Sequence, residues 1–229
     1  MTTQKPNLME DVICLANSRK HSGRCIAGKR VSDGSWIRPI GAGPGHEITE
    51  LDRRYQNGET AQVFDVIAIP CVERRPLGFQ TENVLIDTGF YWQSVRKASW
   101  AEASTLATDT DLWTNGYSAY HCHNNRIPET QLDAKQGSLR FIRVESVALT
   151  GGPKAPEFNN NKYVVRASFS FRSFTYTMDV TDPVLERACM QQGPGEYELG
   201  TSLICVSLSE LHQGYTYKLV ASILAKTVP

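Results

Sequence analysis

Residues 10–40 read EDVICLANSRKHSGRCIAGKRVSDGSWIRPI and contain three short apolar runs with β-branched residues. The runs at 10–17 and 23–31 are separated by the polar stretch SRKHS, which predicts two strands joined by a polar loop. The Asp-Gly pair at 33–34 is a strong turn signal, and the run at 35–40 predicts a third strand that its proline ends. A run of closely spaced strands is therefore expected here.

The same kind of segment recurs along the chain. Further strands are predicted at 61–70, 139–149, 162–171, 174–180, 201–208 and 215–225. Ser99 and Glu102 form a capping box that opens a short helix, and Asp182 with Pro183 predicts a second helix that ends at Gly193. Each half thus holds about five short strands, an order that predicts a mainly β protein with two small OB-like β-barrels and short connecting helices. A split β-sandwich is the competing architecture.

The expected domain boundaries follow from this order. Residues 1–85 form an N-terminal OB-like barrel, residues 86–137 form a connector with a short helix and a long loop, and residues 138–229 form a C-terminal OB-like barrel.

Composition places the chain among ordinary globular proteins. Its 229 residues are 41% apolar and 21% charged, which excludes collagen-like, coiled-coil and wholly disordered classes. The start MTTQKPNLMEDV lacks the pattern of a signal peptide, and no apolar run is long enough for a membrane span. We expect a cytoplasmic protein with no membrane partner, whose six dispersed cysteines are mostly buried free thiols.

Local charge is more informative than the net charge, which is zero. Residues 1–40 contain seven basic and three acidic side chains, and residues 135–176 contain seven basic and two acidic ones. Such patches could contact phosphates, and they could equally be the solvated faces of strands.

The densest cluster of candidate ligand-binding residues is the stretch 18–24, SRKHSGR, with an aromatic and a basic residue following on the next predicted strand. Cations, hydroxyls and a nearby ring suit a phosphate or a stacked base, although an ordinary surface hairpin is the alternative. The candidates are Arg19, Lys20, Ser22, Arg24, Trp36 and Arg38.

In the second half, Phe169, Phe171, Phe174 and Tyr176 share one face of a predicted hairpin and are expected in the core. Side chains outside that face are the ones available to a ligand. The candidates there are Arg166, Arg172 and Lys218.

His121, Cys122 and His123 form the one cluster of metal-type ligands, and they are weak candidates because their spacing matches no closed zinc pattern. The sequence contains no phosphate-binding loop of the Walker type, nucleophile elbow or His-Glu-x-x-His helix. We therefore expect no cofactor and a binding module more than an enzyme, with a metal-dependent enzyme that uses this loop as a further alternative.

Segments 14–20 (CLANSRK), 22–28 (SGRCIAG) and 34–40 (GSWIRPI) resemble a bacterial family of dual OB domain-containing proteins. The C-terminal segments VTDP, CVSL and YKLVA resemble it as well. The resemblance implies two oligonucleotide-binding barrels and a nucleic-acid-binding role in a prokaryote, beside effectors of phage-defence or conflict systems. It also singles out Lys20, Ser22, Arg24, Trp36, Arg38 and Lys218 as motif positions.

The leading functional hypothesis is a module that binds nucleic acid, DNA or RNA, in single-stranded form. The alternative is an adaptor or sensor domain whose barrels bind a nucleotide or a protein partner.

Overall fold

The computed structural model describes Pro6 and residues 8–226, and it contains two compact units. The first unit consists of the chain up to Leu106 together with the short segment Ala134–Ser138. The second unit consists of Ala107–Asp133 and the chain from Leu139 onward. The expected connector at 86–137 is therefore divided between the two units. None of the helices among the described residues has the length and apolarity needed to cross a membrane.

The first unit is a barrel of five strands with a sixth strand outside it. Its strands are β1 (Leu8–Lys20), β2 (Gly23–Arg30), β3 (Trp36–Ile40), β4 (Asp65–Arg74), β5 (Asn83–Ile86) and β6 (Gln93–Lys97). Neighbours follow the order β1-β2-β3-β5-β4, and β4 pairs again with β1, which closes the barrel. The β3–β5 pair is parallel and the other pairs are antiparallel.

The core of this barrel is apolar and comes from every strand that closes it. Val12, Ile26, Ile37, Ile67 and Val84 are at most 1% exposed and pack in one cluster. A β-bulge in β1 between Cys14 and Ala16 bends the strand. Burial of these side chains is the main source of stability for a barrel of this size.

The second unit contains two four-stranded sheets. Its strands are β7 (Arg126–Pro128), β8 (Leu139–Val144), β9 (Val147–Ala155), β10 (Asn160–Phe171), β11 (Phe174–Asp179), β12 (Gly195–Leu199), β13 (Ser202–Leu208) and β14 (Tyr215–Ala225). One sheet has the order β11-β10-β9-β12 and the other has the order β7-β14-β13-β8.

These two sheets repeat the strand order of the first barrel. Strand β9 begins shortly after β8 ends, and β13 begins shortly after β12 ends. Each of these two consecutive segments therefore acts as one bent strand that belongs to one sheet in its first part and to the other sheet in its second part. A parallel bridge joins Val180, just after β11, to Val220 on β14, and Thr181 N donates to Val220 O at 2.9 Å. The prediction of a mainly β protein with two OB-like barrels is confirmed, with the second barrel split into two sheets.

Both predicted helix starts are observed. In α1 (Trp100–Ser104) the Ser99 hydroxyl accepts a hydrogen bond from Glu102 N at 3.0 Å. In α2 (Pro183–Gln192) the Asp182 carboxylate accepts from Val184 N at 2.9 Å. Gly193 follows α2 with a φ of 100°, a conformation that favours glycine.

Several element boundaries differ from the expected ones for local reasons. Strand β4 begins at Asp65 because Phe64, at a φ of 71°, interrupts the extended chain. The run at 139–149 is split into β8 and β9, and β9 continues beyond the predicted run through the GGPKA segment at 151–155. Strands β5, β6 and β12 are not among the predicted strands, because they are too short or too polar to show a clear alternation of apolar and polar residues. Phe174 was expected in the core, yet it is 43% exposed beside a hairpin turn.

Close approach of β1 and β2 requires glycine at position 28. A Cβ there would lie 2.5 Å from Val12 Cγ1 and closer still to Ile13 O. We expect Gly28→Ala to destabilise the first barrel by about 1–3 kcal/mol, because the backbone oxygen cannot move without breaking the ladder. Urea unfolding followed by circular dichroism measures this.

Gly43→Ala is the matched control, since a Cβ at Gly43 meets nothing within 4 Å. Equal unfolding midpoints for the two variants would contradict the close-approach explanation.

Candidate functional site

The first hairpin of the first barrel extends beyond the neighbouring strand β4. The β1–β4 ladder ends at Ile13 and Val66, whereas the β1–β2 ladder continues to Lys20 and Gly23. Ser18, Arg19 and Lys20 were expected in a loop, but they belong to β1, so the turn consists of His21 and Ser22 alone. The hairpin thus extends past β4 as a ribbon with its cations on strands, and Arg24 of β2 also exchanges two backbone hydrogen bonds with Ile48.

The ladder places two arginines directly opposite each other near the tip of this ribbon. Arg19 pairs in register with Arg24, and Arg24 Nε contacts Glu50 Oε1 at 2.8 Å. Glu50 also pairs with the buried Arg53, so its single charge is shared between two guanidinium groups. Like charges opposite each other across an antiparallel pair destabilise it. The ribbon tip therefore brings two guanidinium groups onto adjoining strands.

The hydroxyl of Ser22 in the turn contacts an acidic residue. Ser22 Oγ donates to Glu47 Oε1 at 3.4 Å, and Glu47 also lies against Gly23. Two carboxylates, Glu47 and Glu50, therefore contact the hairpin that carries Arg19, Lys20 and Arg24.

Trp36 lies away from this tip. It pairs in register with Lys29, which is five residues from Arg24 along β2, or about 17 Å at the rise of a strand. Lys29 Nζ lies 5.4 Å from the centre of the half-buried Trp36 ring and donates to Leu106 O. The structure thus separates Trp36 from Arg19 and Arg24, with which the sequence grouped it.

Arg38 is not a surface cation. Its side chain is buried and its Nη2 lies 3.6 Å from Glu82 Oε1, which also accepts hydrogen bonds from Ser138 N and Ser138 Oγ. A buried guanidinium needs such a partner because burial of an unpaired charge is costly. We therefore withdraw Arg38 from the ligand-binding candidates and assign it to the interior.

Lys218 is likewise fully buried. Its Nζ donates to Thr114 O at 2.8 Å and to Asn115 Oδ1 at 2.9 Å, and it lies 5.2 Å from the centre of the Tyr176 ring. Burial lowers the pKa of the ammonium from 10.5 to about 7. Lys218 therefore fastens the segment around residues 114–115 to β14, and it does not reach solvent as a ligand contact would.

The other two basic candidates of the second barrel are tied to acidic residues. Arg166 Nε contacts Asp179 Oδ1 at 3.2 Å, and its Nη2 donates to Lys154 O at 3.0 Å. Arg172, at a φ of 52° in the hairpin turn, donates to Asp109 O and lies 3.4 Å from Asp111 Oδ1. Arg172 is the more exposed of the two.

Comparison with known proteins agrees with the strand order. A family model described as a dual OB-containing domain matches residues 10–223. The chain belongs to this dual OB family. No curated protein and no solved structure matches it.

The residues of the His-Cys-His loop of this dual OB protein contact three different partners, two of them through side chains. His121 Nε2 lies 2.8 Å from Glu157 Oε1, and Cys122 Sγ lies 3.8 Å from Asp179 Oδ1. His123 is held through its backbone, which exchanges two hydrogen bonds with Thr177. Within residues 8–226, no three His, Cys, Asp or Glu side chains are grouped so that they could hold a metal ion.

The buried thiols do not have the character of nucleophiles. Burial raises the pKa of Cys122 to about 11 and the pKa of Cys14 and Cys71 to about 12. Because the thiolate is the reactive form, these three side chains are inert near neutral pH.

A second projecting ribbon is absent from the sequence-based candidates. The β9–β12 ladder ends at Gly151 and Gly195, whereas the β9–β10 ladder continues to Ala155 and Asn160. This hairpin holds the same position in the second OB barrel as β1–β2 holds in the first. Its tip carries the exposed Phe158 ring and two exposed lysines, and the signal in the sequence was the segment PKAPEFNNNK, which combines lysines, asparagines and a phenylalanine.

Desolvation of Lys218 has a consequence for stability. Between about pH 7 and 10 the unfolded chain binds a proton on Lys218 that the folded chain releases, so the free energy of unfolding rises with pH in this window. We expect wild type to gain about 1.4 kcal/mol per pH unit relative to Lys218→Met there.

Urea unfolding of both proteins from pH 6 to pH 10 measures the difference between their free energies of unfolding. The contributions of the other titrating groups are the same in both proteins and cancel in this difference. A difference that does not change with pH would show that Lys218 keeps its ordinary pKa.

Proposed function

We propose that this protein is a cytoplasmic module that binds single-stranded nucleic acid through the projecting first hairpin of its OB barrels. The observation that carries the proposal is the ribbon tip of the first barrel, where Arg19 and Arg24 face each other on adjoining strands. A phosphodiester strand is the polyanion that such opposed guanidinium groups bind well, because charge-assisted hydrogen bonds to phosphate replace their repulsion.

Family membership supports the same proposal. OB barrels commonly bind oligonucleotides through a strand face and the loops next to it, and the loop between the first two strands is one of them. Arg19, Lys20, Ser22 and Arg24 lie on or beside that turn in this chain. Of the sequence-based candidates, these four are the ones we retain for the first barrel.

The neutral net charge also fits a local mode of binding. With equal numbers of acidic and basic residues, the whole molecule has no long-range attraction for nucleic acid, so the affinity would come from a few phosphate contacts. Arg172 is retained as an exposed contact in the second barrel, and Arg166 as a half-buried one. The family resemblance further leads us to propose a prokaryotic setting beside effectors of phage defence.

The test is fluorescence anisotropy with labelled single-stranded DNA, single-stranded RNA and duplex over a salt series. We expect the triple variant Arg19→Ala, Lys20→Ala, Arg24→Ala to bind single strands at least tenfold more weakly at low salt. The slope of log affinity against log salt should fall by about 2, since three phosphate contacts are lost.

A matched control removes three exposed cations from other places: Lys135→Ala, Arg143→Ala, Arg187→Ala. It changes the net charge equally and should bind almost as wild type does. Equal losses in the two variants would show that only net charge matters. Binding of a mononucleotide or a protein partner, with no affinity for any strand, would favour the adaptor or sensor alternative.

A further inference from the structure

Two exposed aromatic rings meet at the tip of the β9–β10 hairpin in the second barrel. Phe158 is 71% exposed and Tyr120 is 62% exposed, and their ring centres are 5.6 Å apart. The His121 ring lies on the other side, with its centre 4.1 Å from that of Tyr120. Rings of this size are normally covered in a folded protein, so an exposed pair indicates a contact surface.

Hydrogen bonds hold this surface in place. Glu157, next to Phe158 in the hairpin, accepts from the Tyr120 hydroxyl and lies 2.8 Å from His121 Nε2. Hydrogen bonds from its own backbone N–H, from Tyr120 and from His121 lower the pKa of the Glu157 carboxyl to about 2. The carboxylate therefore joins residues 120–121 to the hairpin tip, and the rings are oriented before any ligand arrives.

The same ribbon carries cations. A bulge in the ladder places Lys154 of β9 opposite Asn161 and Lys162 of β10. Both lysines are exposed, and neither forms an ion pair with a carboxylate of residues 8–226. Three consecutive asparagines, 159–161, add amide donors and acceptors beside them. Two exposed lysines and the exposed Phe158 ring thus lie on one hairpin, whose tip also carries the Glu157 carboxylate that Tyr120 and His121 contact.

We propose that Phe158 and Tyr120 stack on unpaired bases of a nucleic-acid strand whose phosphates contact Lys154 and Lys162. The inference rests on the proposed function, and it adds a second binding surface, on the β9–β10 hairpin, that recognises unpaired bases. A ring that stacks on a base needs the face of that base, which a duplex keeps covered, so this surface selects single-stranded DNA or RNA. The flanking lysines complement the phosphates that every unpaired base carries with it.

Phe158→Leu tests stacking directly, because leucine keeps the apolar bulk and removes the ring. We expect Phe158→Leu and Phe158→Ala to weaken binding of a 20-nucleotide single strand about 5- to 100-fold, with no change in the salt slope. Lys154→Ala with Lys162→Ala should instead lower both the affinity and the slope, the latter by about 1.4.

Phe174→Ala is the matched control. Phe174 is an exposed phenylalanine of the same barrel that pairs with Phe171 at the far end of β10, about 35 Å along the strand from the tip. The Phe174→Ala variant should bind the single strand with the affinity of wild type. A single strand that contains 2-aminopurine adds a spectroscopic readout, since stacking on Phe158 quenches its fluorescence and the quenching should disappear in Phe158→Leu.

The outcomes separate the two proposals. Strong strand binding that Phe158→Leu leaves unchanged would overturn the stacking surface and leave the proposed function standing. Loss of binding in Phe158→Ala with full binding in Phe158→Leu would identify an apolar contact, as a protein partner makes, and would also overturn it. Wild type that binds no strand at any salt concentration would overturn both.

Discussion

Strand β1 forms ladders with two neighbours at once, and the first barrel depends on this closure. Val12 pairs with Arg30 of β2 on one side and with Ile67 of β4 on the other. Closure leaves no unpaired edge along this part of β1, and it encloses a core to which all five strands contribute. The bend that allows it comes from the bulge after Cys14 and from the close approach at Gly28.

The same closure explains where the proposed ligand-binding side chains lie. Once β4 leaves β1 at Ile13, the β1–β2 pair continues beyond it; its first part still packs into the core through Cys14 and Ile26, and its outer end carries Arg19 and Lys20. In the second barrel, β12 leaves β9 at Gly151 and the β9–β10 pair continues in the same way. The outer ends of these ribbons carry exposed side chains, among them Arg19 in the first barrel and Lys154, Phe158 and Lys162 in the second.

Interior positions impose the opposite constraint. Arg38 and Lys218 occupy strands and alternate with apolar residues, a pattern that usually indicates a solvated face. Both side chains are nevertheless buried, because the barrel brings Glu82 to Arg38 and the chain around Thr114 to Lys218. These partners are distant in sequence, and the lysine retains its place through hydrogen bonds to neutral oxygens, at the cost of a lowered pKa.

The sequence by itself determined the class of fold, most strand locations, the two capped helices and the basic character of the first hairpin, since these depend on local periodicity, turn residues and capping side chains. The family motifs extended this to two OB barrels. Tertiary structure alone decided that Arg38 and Lys218 are buried, that Trp36 pairs with Lys29, about 17 Å along β2 from Arg24, and that Tyr120 meets Phe158. Those outcomes depend on pairings between distant segments, and a strand pattern reports which face a residue occupies but not what covers that face.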